Sequence, residues 1–381
     1  MIADHAPAPK RGIARLPTMN LFFIGTPLQL LNAIEARDFF GFEDNHLVIV
    51  LDLHFWPKTD VFKRLIRSRE WKSVHYVTLY KTTLKAPPAF IGKFAAKKLK
   101  DTFYKYHQFR NKCRLQKIAR LFPSVDNLVL GNYHLDQSRH FPNLIRYKNF
   151  YLVDDGTDVL YVSHDRQKPP VPAGAAQNHN HQGSALARLR SNINESLKWN
   201  DQQVDNITYF SAYKFAVESR DRIILNDYRY FKSRLAPAVR HESCLFLGQC
   251  LVRDGYLDED TYLRYLEGVR AHFHDEEIIY VPHPRESKTA VDHVRQRLGF
   301  VIRKFDLPVE WQLSSDPVRP VIMASFFCSA LVSCATIFHE EFKLKAFYIQ
   351  PRDIRKWPEF VEGTYDYFLR QMNPFIEVIR L

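Results

Sequence analysis

Short runs of β-forming residues alternate with amphipathic segments along this chain, first between residues 20 and 162 and again after residue 241. The first set of runs lies at 21–24, 46–52, 74–80, 127–131 and 151–154, and the second at 243–249, 277–282, 300–304 and 321–324. Strands that alternate with helices form a parallel sheet with helices on both faces. The sequence therefore predicts an α/β protein with two Rossmann-like domains that face each other across a cleft.

Helices are predicted between these runs. Thr26 as N-cap and Pro27 at the first helical position open the first helix, since both residue types are favoured at helix starts. Further helices are predicted at 61–69, 260–273 and 288–298, and from 327 onward.

The chain is long enough for about two domains, with 381 residues of which 46% are apolar. We expect a disordered leader at 1–19, an N-terminal Rossmann-like domain at 20–162 and a C-terminal one at 241–360. The Pro-, Gln-, Asn- and His-rich composition that begins near Ser163 predicts a mobile loop and connecting helices over 163–240. The closing segment, 361–381, is a candidate to cross back onto the N-terminal domain.

Positive charge is concentrated between Lys93 and Arg120. This segment holds ten Lys or Arg residues against one acid, Asp101, in a chain of net charge +12, and aromatic residues are interleaved with them. Such a surface attracts polyanions or an anionic membrane face. The alternative is a solvated helix pair with an apolar inner face. No zinc-finger spacing, ribonucleoprotein motif or heptad pattern accompanies the segment, so no nucleic-acid partner is expected.

Composition also predicts a cytoplasmic protein. No run approaches the roughly 20 apolar residues that a membrane span needs, and the first 20 residues lack the apolar core of a signal peptide. The five cysteines, an odd number, fit reduced thiols. Cys328, Cys334 and His339 match no common zinc spacing, so no metal site is expected.

Two polar strings follow predicted strands, where ligands bind in open α/β sheets. In Asp154-Asp155-Gly156, neighbouring side chains point to opposite faces, so one carboxylate can face the cleft while the other braces the turn. In His283-Pro284-Arg285, the flanking prolines fix the loop, and the imidazole and guanidinium can bind phosphate or protonate a leaving group. A plain Asp-Gly turn and a strand-end histidine remain the alternatives.

A third feature is the passage from the strand at 321–324 into a helix, with Ser325 and Ser329 near its start. The free amides and positive dipole end of a helix N-terminus suit a phosphate. An N-cap serine without a ligand is the alternative.

In this order, Asp154-Asp155-Gly156, His283-Pro284 and Ser325 to Ser329 resemble motifs of the bacterial inverting sialyltransferases of GT-B type. That group includes lipooligosaccharide sialyltransferases and capsular polysialyltransferases. The resemblance extends to Thr26-Pro27-Leu28-Gln29, Gly248-Gln249 and Pro308-Val309-Glu310, and so covers roughly residues 20 to 345. Where the family often has paired Ser-Ser or Ser-Thr, this chain has Cys328-Ser329. Which serine meets the phosphate therefore stays open.

The resemblance implies an inverting transferase that moves a nonulosonic acid, most simply sialic acid, from a CMP-sugar to a hydroxyl of a lipooligosaccharide or capsular polysaccharide. It implies no metal and no cofactor beyond the donor. Asp155 would be the general base and His283 would stabilise the departing phosphate, with Asp154, Gly156, Pro284 and Arg285 in support. The donor side would comprise Gly248, Gln249, Glu310 at the ribose, Ser325, Cys328 and Ser329. The acceptor or sugar side would comprise Thr26, Gln29, Asn132 and Arg139.

The basic segment would then guide an anionic acceptor or hold the enzyme peripherally at the inner membrane. A Kdo, legionaminic or pseudaminic acid transferase would carry the same motifs, and a non-catalytic polyanion-binding protein or a nucleoside-diphosphate-sugar enzyme are rival classes. The sequence leaves open the sugar, the linkage, the acceptor, the number of residues added and the oligomeric state.

Overall fold

The structure, a computed structural model, describes residues 18–52, 59–80, 93–167, 199–200, 202–372 and 374–381. Two parallel sheets form its centre. The predicted leader, except for its last two residues, and most of the predicted loop lie outside the described residues. Within the described part, Met19 already belongs to the first strand.

The first sheet has seven parallel strands in the order β3-β2-β1-β4-β5-β6-β7. Its strands are β1 (Met19–Ile24), β2 (Asp44–Asp52), β3 (Ser73–Leu79), β4 (Ser124–Leu130), β5 (Arg146–Val153), β6 (Thr208–Ser211) and β7 (Arg222–Leu225). The helices of this part are α1 (Pro27–Phe39), α2 (Thr59–Leu65), α3 (Lys93–Ala119), α4 (Asp136–His140), α5 (Asp158–Arg166) and α6 (Arg229–Lys232).

The second sheet has six parallel strands in the order β10-β9-β8-β11-β12-β13. Its strands are β8 (Val239–Leu247), β9 (Ile278–Val281), β10 (Val301–Ile302), β11 (Val318–Ser325), β12 (Lys343–Tyr348) and β13 (Ile376–Arg380). The helices are α7 (Glu259–His272), α8 (Lys288–Leu298), α9 (Val309–Ser315), α10 (Ala330–Phe338) and α11 (Pro358–Gln371). The prediction of two Rossmann-like units in a GT-B arrangement is confirmed.

Local signals explain where several helices start and stop. The Thr26 hydroxyl accepts the amide of Gln29 at 3.2 Å, and Pro27 occupies the first position of α1. Ser287 caps α8 in the same way, and Gly299 ends that helix with a left-handed φ of +68°.

Three elements differ from the sequence-based expectation. The basic segment forms the single helix α3 rather than a helix pair, because no proline or glycine interrupts residues 93–119. The region expected to connect the domains contributes β6 and β7 to the first sheet, because these short runs become strands by pairing in series beside β5 rather than through their own propensity. The last strand, β13, pairs with β12 and so belongs to the second sheet.

Helix α11 connects the two units. The hydroxyl of Tyr367 accepts the amide of Lys214 at 3.0 Å, and its ring lies 5.3 Å from the ring of Tyr213, which follows β6. The segment between the sheets is also held by the first unit, since Glu35 of α1 accepts the amides of Tyr230 and Phe231 at 3.2 and 2.5 Å. The hydrophobic core is continuous across residues of both sheets.

None of the helices in the described part of the chain has the length and apolar character needed to span a bilayer.

Candidate active site

Asp155 follows the carboxyl end of β5 and is held by two polar side chains. Thr26 donates its hydroxyl to Asp155 Oδ1 at 3.2 Å, and Asn132, which follows β4, donates its side-chain amide to Oδ2 at 2.9 Å. Because β1, β4 and β5 are neighbours in a parallel sheet, their carboxyl ends bring these three residues to one edge. Thr26 and Asn132, two of the predicted acceptor-side residues, therefore contact the predicted base, and Gln29 is a third.

Gln29 is packed beneath this group. Its Oε1 accepts the amide of Gly25 at 2.6 Å, and the side chain runs so close to Gly131 that a Cβ there would overlap it. The side-chain amide group of Gln29 also donates a hydrogen bond to Asp155. Gly131 thus makes room for a residue that helps to orient the carboxylate.

Asp154 points the other way, as expected for the preceding strand residue. It is buried, and its Oδ2 accepts the amide of Ala212 at 2.7 Å beyond β6. Its carbonyl accepts Nδ2 of Asn32 at 3.0 Å. Burial raises the pKa of Asp154 to about 7. This acid braces the sheet edge rather than facing the cleft.

Asp158 is a third carboxylate at this edge, and the sequence did not single it out. The same Asn132 amide that binds Asp155 also donates to Asp158 Oδ2, at 3.2 Å. Burial raises the pKa of Asp155, and burial together with the charge of Asp155 raises the pKa of Asp158 to about 7. At the start of α5 the sequence shows only an acid at a helix N-terminus, which is a common capping choice.

His283 follows β9 in the second sheet and has a defined hydrogen-bond arrangement. Its Nδ1 lies 3.0 Å from Sγ of Cys250 and accepts the amide of Arg285 at 3.2 Å. Burial, followed by the nearby charge of Arg285, lowers the pKa of His283 to about 4, while burial raises that of Cys250 to about 12. The imidazole is therefore neutral near pH 7, and its proton resides on Nε2.

Glu286 fixes the loop that carries His283. It accepts the backbone amide of His283 at 2.6 Å and the hydroxyl of Tyr280 at 2.7 Å. A Cβ on Gly248 would lie 2.6 Å from Glu286 Oε2, so this glycine makes space for the carboxylate. The sequence-based role of Gly248, backbone approach to a nucleotide, stays a prediction.

Arg285 is already paired. It contacts Asp254 through Nη1 at 3.3 Å and Nη2 at 2.9 Å, and Pro284 beside it is exposed. A guanidinium held by a carboxylate has less charge to offer a phosphate. In this structure it fixes the loop, and its expected role on the phosphate stays a prediction.

The predicted donor serines have different environments. Ser325 is fully buried and donates to the Leu247 carbonyl at 2.7 Å and to Gln249 Oε1 at 3.3 Å, so it ties β11 to β8 and cannot reach a ligand. Ser329 is half-buried at the N-cap of α10, and its side chain makes no capping bond there. Cys328 is half-buried beside it, and burial raises the pKa of its thiol to about 11.

Glu310, expected at the ribose, is buried against α10. Its Oε1 accepts the hydroxyl of Ser333 at 2.5 Å, and burial raises its pKa. Arg139 pairs with Asp136 at 2.8 Å and lines a separate cavity beside α5. The contacts of these two residues do not include Asp155 or His283.

The two sheet edges meet at Gly156. This glycine has a left-handed φ of +65°, and a Cβ there would lie 2.8 Å from Ser329 Oγ. In the second unit, burial and then the charges of Asp254 and Asp158 raise the pKa of Tyr256. The first and third motifs are thus in contact.

No cluster of three or more His, Cys, Asp or Glu side chains suited to a metal ion occurs among the described residues.

The sequence model of glycosyltransferase family 52 matches residues 75–333 of this chain. No curated protein matches it. Among solved structures it is similar to the spinosyn forosaminyltransferase SpnP, at 12% identity and a TM-score of 0.46 over 95% of this chain and 86% of that one. It is also similar to the E. coli heptosyltransferase WaaC with ADP (12% identity, TM-score 0.39, 95% and 93% covered) and to UDP-GlcNAc 2-epimerase from Methanocaldococcus jannaschii (11%, 0.43, 95% and 89%).

Proposed function

The chain belongs to glycosyltransferase family 52 and is a glycosyltransferase of sialyltransferase type, and from that premise we propose that its donor is a CMP-activated nonulosonic acid, most simply CMP-sialic acid. The acceptor is a hydroxyl of a cell-surface glycan. The observation that carries the proposal is the approach of Gly156, in the acidic motif, to Ser329 at the start of α10. A candidate base and a helix N-terminus suited to phosphate thereby meet in one cleft.

In the proposed reaction Asp155 accepts the proton of the acceptor hydroxyl. The acceptor oxygen forms a bond to the anomeric carbon while the bond from that carbon to the phosphate oxygen breaks, and CMP leaves with the electron pair. A single displacement of this kind inverts the anomeric centre. Thr26 and Asn132 hold Asp155 for the attack through the contacts described above.

His283 acts on the leaving group as a neutral donor. Because Nδ1 accepts the Arg285 amide, Nε2–H is the group available to the departing phosphate oxygen. The amide end of α10 after Ser329 shares that negative charge. This arrangement needs no metal ion, since a phosphodiester leaving as CMP carries less charge than a nucleoside diphosphate.

The proposal is tested by a donor screen. Purified protein is incubated with CMP-sialic acid, CMP-Kdo, CMP-legionaminic acid, CMP-pseudaminic acid and UDP- and GDP-hexoses, and release of the nucleotide is measured with and without EDTA. We expect release from CMP donors only, unchanged by EDTA and lost in Asp155→Asn. Preferential turnover of UDP- or GDP-sugars, or full activity of Asp155→Asn, would contradict it.

Helix α3 supports a further part of the proposal, contact with an anionic membrane surface. Leu99, Tyr106 and Phe109 are 45%, 55% and 55% exposed and lie on the face of α3 opposite the buried residues Asn111 and Leu115. Exposed lysines lie beside or within this strip: Lys98, Lys105 and Lys117. An apolar strip bordered by cations is the pattern of helices that lie in a lipid interface.

Sedimentation with vesicles tests this contact. The protein should bind phosphatidylglycerol-containing vesicles but not pure phosphatidylcholine, and replacement of Leu99, Tyr106 and Phe109 by serine should abolish binding. The matched control is Tyr76→Ser, since Tyr76 is 41% exposed on β3. If the protein ignores vesicles but its acceptor KM rises steeply with salt, α3 serves an anionic acceptor instead.

A further inference from the structure

A cavity of about 260 Å³ opens beside α5, close to the acid pair formed by Asp155 and Asp158. It lies between the segment after β4 and helix α5, and its lining includes Tyr133, His134, Arg139, Tyr161 and Asp165. No role follows for it from the reaction described above. The position and chemistry of the cavity indicate a role for it in binding a ligand.

One wall of the cavity begins at Asn132, which holds Asp155, and the other begins at the neighbouring acid Asp158. On one side, Asn132 Oδ1 accepts the backbone amides of His134 and Leu135, each at 2.9 Å. The Asn132 side chain that binds Asp155 therefore also fixes this wall. On the other side, Tyr161 and Asp165 come three and seven residues after Asp158, on the same face of α5. The cavity is therefore one to two helical turns from the acid pair.

Tyr161 gives the cavity an aromatic surface. Its ring packs edge-to-face with His134 at 4.7 Å, yet the residue remains 44% exposed. Burial and the charge of Arg139 lower the pKa of His134, so the imidazole is neutral at pH 7. An aromatic face with polar groups around it suits a ligand that has both an apolar face and hydroxyl groups.

The two arginines of the cavity already have carboxylate partners. Arg166 is buried and bound to Asp221 at 2.7 and 2.8 Å, and Arg139 is bound to Asp136 at 2.8 Å. Two guanidinium groups with carboxylate partners leave little attraction for an anion. Asp165 adds a negative group to the lining.

We propose that this cavity is an acceptor subsite that takes a neutral pyranose residue, next to the sugar whose hydroxyl is presented to Asp155. Tyr161 packs on the ring face, while Arg139 and Asp165 bind hydroxyl groups. The proposal rests on the proposed glycosyl transfer and adds to it an acceptor of at least two sugar residues. Under this proposal the cavity binds a neutral sugar of the acceptor, and any anionic groups of the acceptor bind outside the cavity.

Direct binding tests the subsite without turnover. Saturation-transfer NMR is recorded with a panel of neutral disaccharides (lactose, maltose and cellobiose), with their monosaccharides, and with digalacturonic acid. We expect at least one neutral disaccharide to bind more tightly than its monosaccharides. Tyr161→Ala should weaken it by roughly 3- to 10-fold, the usual range for one aromatic contact. Tyr161→Phe and the control Tyr76→Ala should bind as the wild type does.

Kinetics then separate this proposal from the proposed function. With the donor that turns over, Tyr161→Ala should raise KM for the disaccharide acceptor and leave acceptor-independent hydrolysis of the donor unchanged. Binding by none of the neutral disaccharides, unchanged binding in Tyr161→Ala, or salt-sensitive and tighter binding of digalacturonic acid would overturn the subsite. Absence of CMP release from every donor would instead refute the proposed function, whatever the NMR shows.

Discussion

Replacing Asp158 with asparagine should extend the activity of this protein to lower pH. Asp155 can act as a base only when ionised, and the negative charge of Asp158 disfavours that ionisation. The folded-state pKa of the pair is raised, so activity is lost as pH falls through it. Removing the Asp158 charge lowers the pKa of Asp155 and moves that loss to lower pH.

The size of the change in the pKa of Asp155 can be worked out from the Asn132 amide that both carboxylates share. Both carboxylates accept from Asn132 Nδ2, at 2.9 and 3.2 Å, so the two oxygens lie at most about 6 Å apart. At an effective dielectric constant of about 20, two unit charges at that distance interact by about 2.8 kcal/mol, or about 2 pKa units. Because both residues are half-buried and water screens part of this, we expect a displacement of about 1 to 2 units.

The assay is the pH dependence of kcat/KM for CMP release, with melting temperature measured at each pH. Asp366→Asn is the matched control, because it removes the same charge from an exposed pair with Arg370 on α11. The reasoning would be refuted if the fall of kcat/KM at low pH occurs at the same pH in Asp158→Asn as in the wild type. It would also be refuted if Asp366→Asn shifts that fall by an equal amount. Loss of all activity with the fold intact would show that Asp158 itself carries the reaction.

Three further outcomes are expected. Gly156→Ala should lower kcat and should also lower the free energy of unfolding, by about 1 to 2 kcal/mol for the left-handed backbone alone. Adding Ser329→Gly to this variant should restore part of kcat, because it removes the overlap between the new Cβ and the Ser329 side chain. If kcat is not restored, the contact between Gly156 and Ser329 is disproved. His283→Ala should lower kcat by roughly 10²- to 10³-fold in CMP release, whereas Cys250→Ser, which keeps a donor for Nδ1, should stay near wild type; equal losses would argue against the assigned tautomer. Glu35→Ala should lower the free energy of urea unfolding by about 2 kcal/mol or more, since the buried amide of Phe231 and the half-buried amide of Tyr230 lose their acceptor. The pKa of Glu35 is raised to about 7, so its ionisation weakens the fold as pH rises from about 4.5, and Glu35→Gln should flatten that dependence.

The fold was predictable where short-range signals decide it. Thr26 and Pro27 mark the start of α1, and Ser287 and Gly299 bound α8, because caps act within a few residues. Strands β6 and β7 were not predicted, since they follow a region of loop-like composition and form by pairing, β6 with β5 and β7 with β6. The last two of the seven strands of the first sheet are thus a product of tertiary contacts.

The site could be predicted only in part. Strand ends locate Asp155 and His283, but their partners come from distant positions: Asn132 lies 23 residues before one, and Cys250 33 residues before the other. Burial is equally hidden from the sequence, as Ser325 shows; a serine after a strand can face a ligand or, as here, tie two strands together. The assigned roles of Asp155 and His283 remain predictions for the experiments above.

The position of α11 limits how this protein can be recombined with its relatives. In chain order the helix belongs to the second unit, yet Tyr367 packs on Tyr213 and binds the Lys214 amide of the first. A chimera cut at the segment between the sheets, made to exchange donor specificity, would bring a foreign α11 against a native Tyr213. The exchange should therefore keep residues 358–371 with their own first unit, which requires a second crossover ahead of β13.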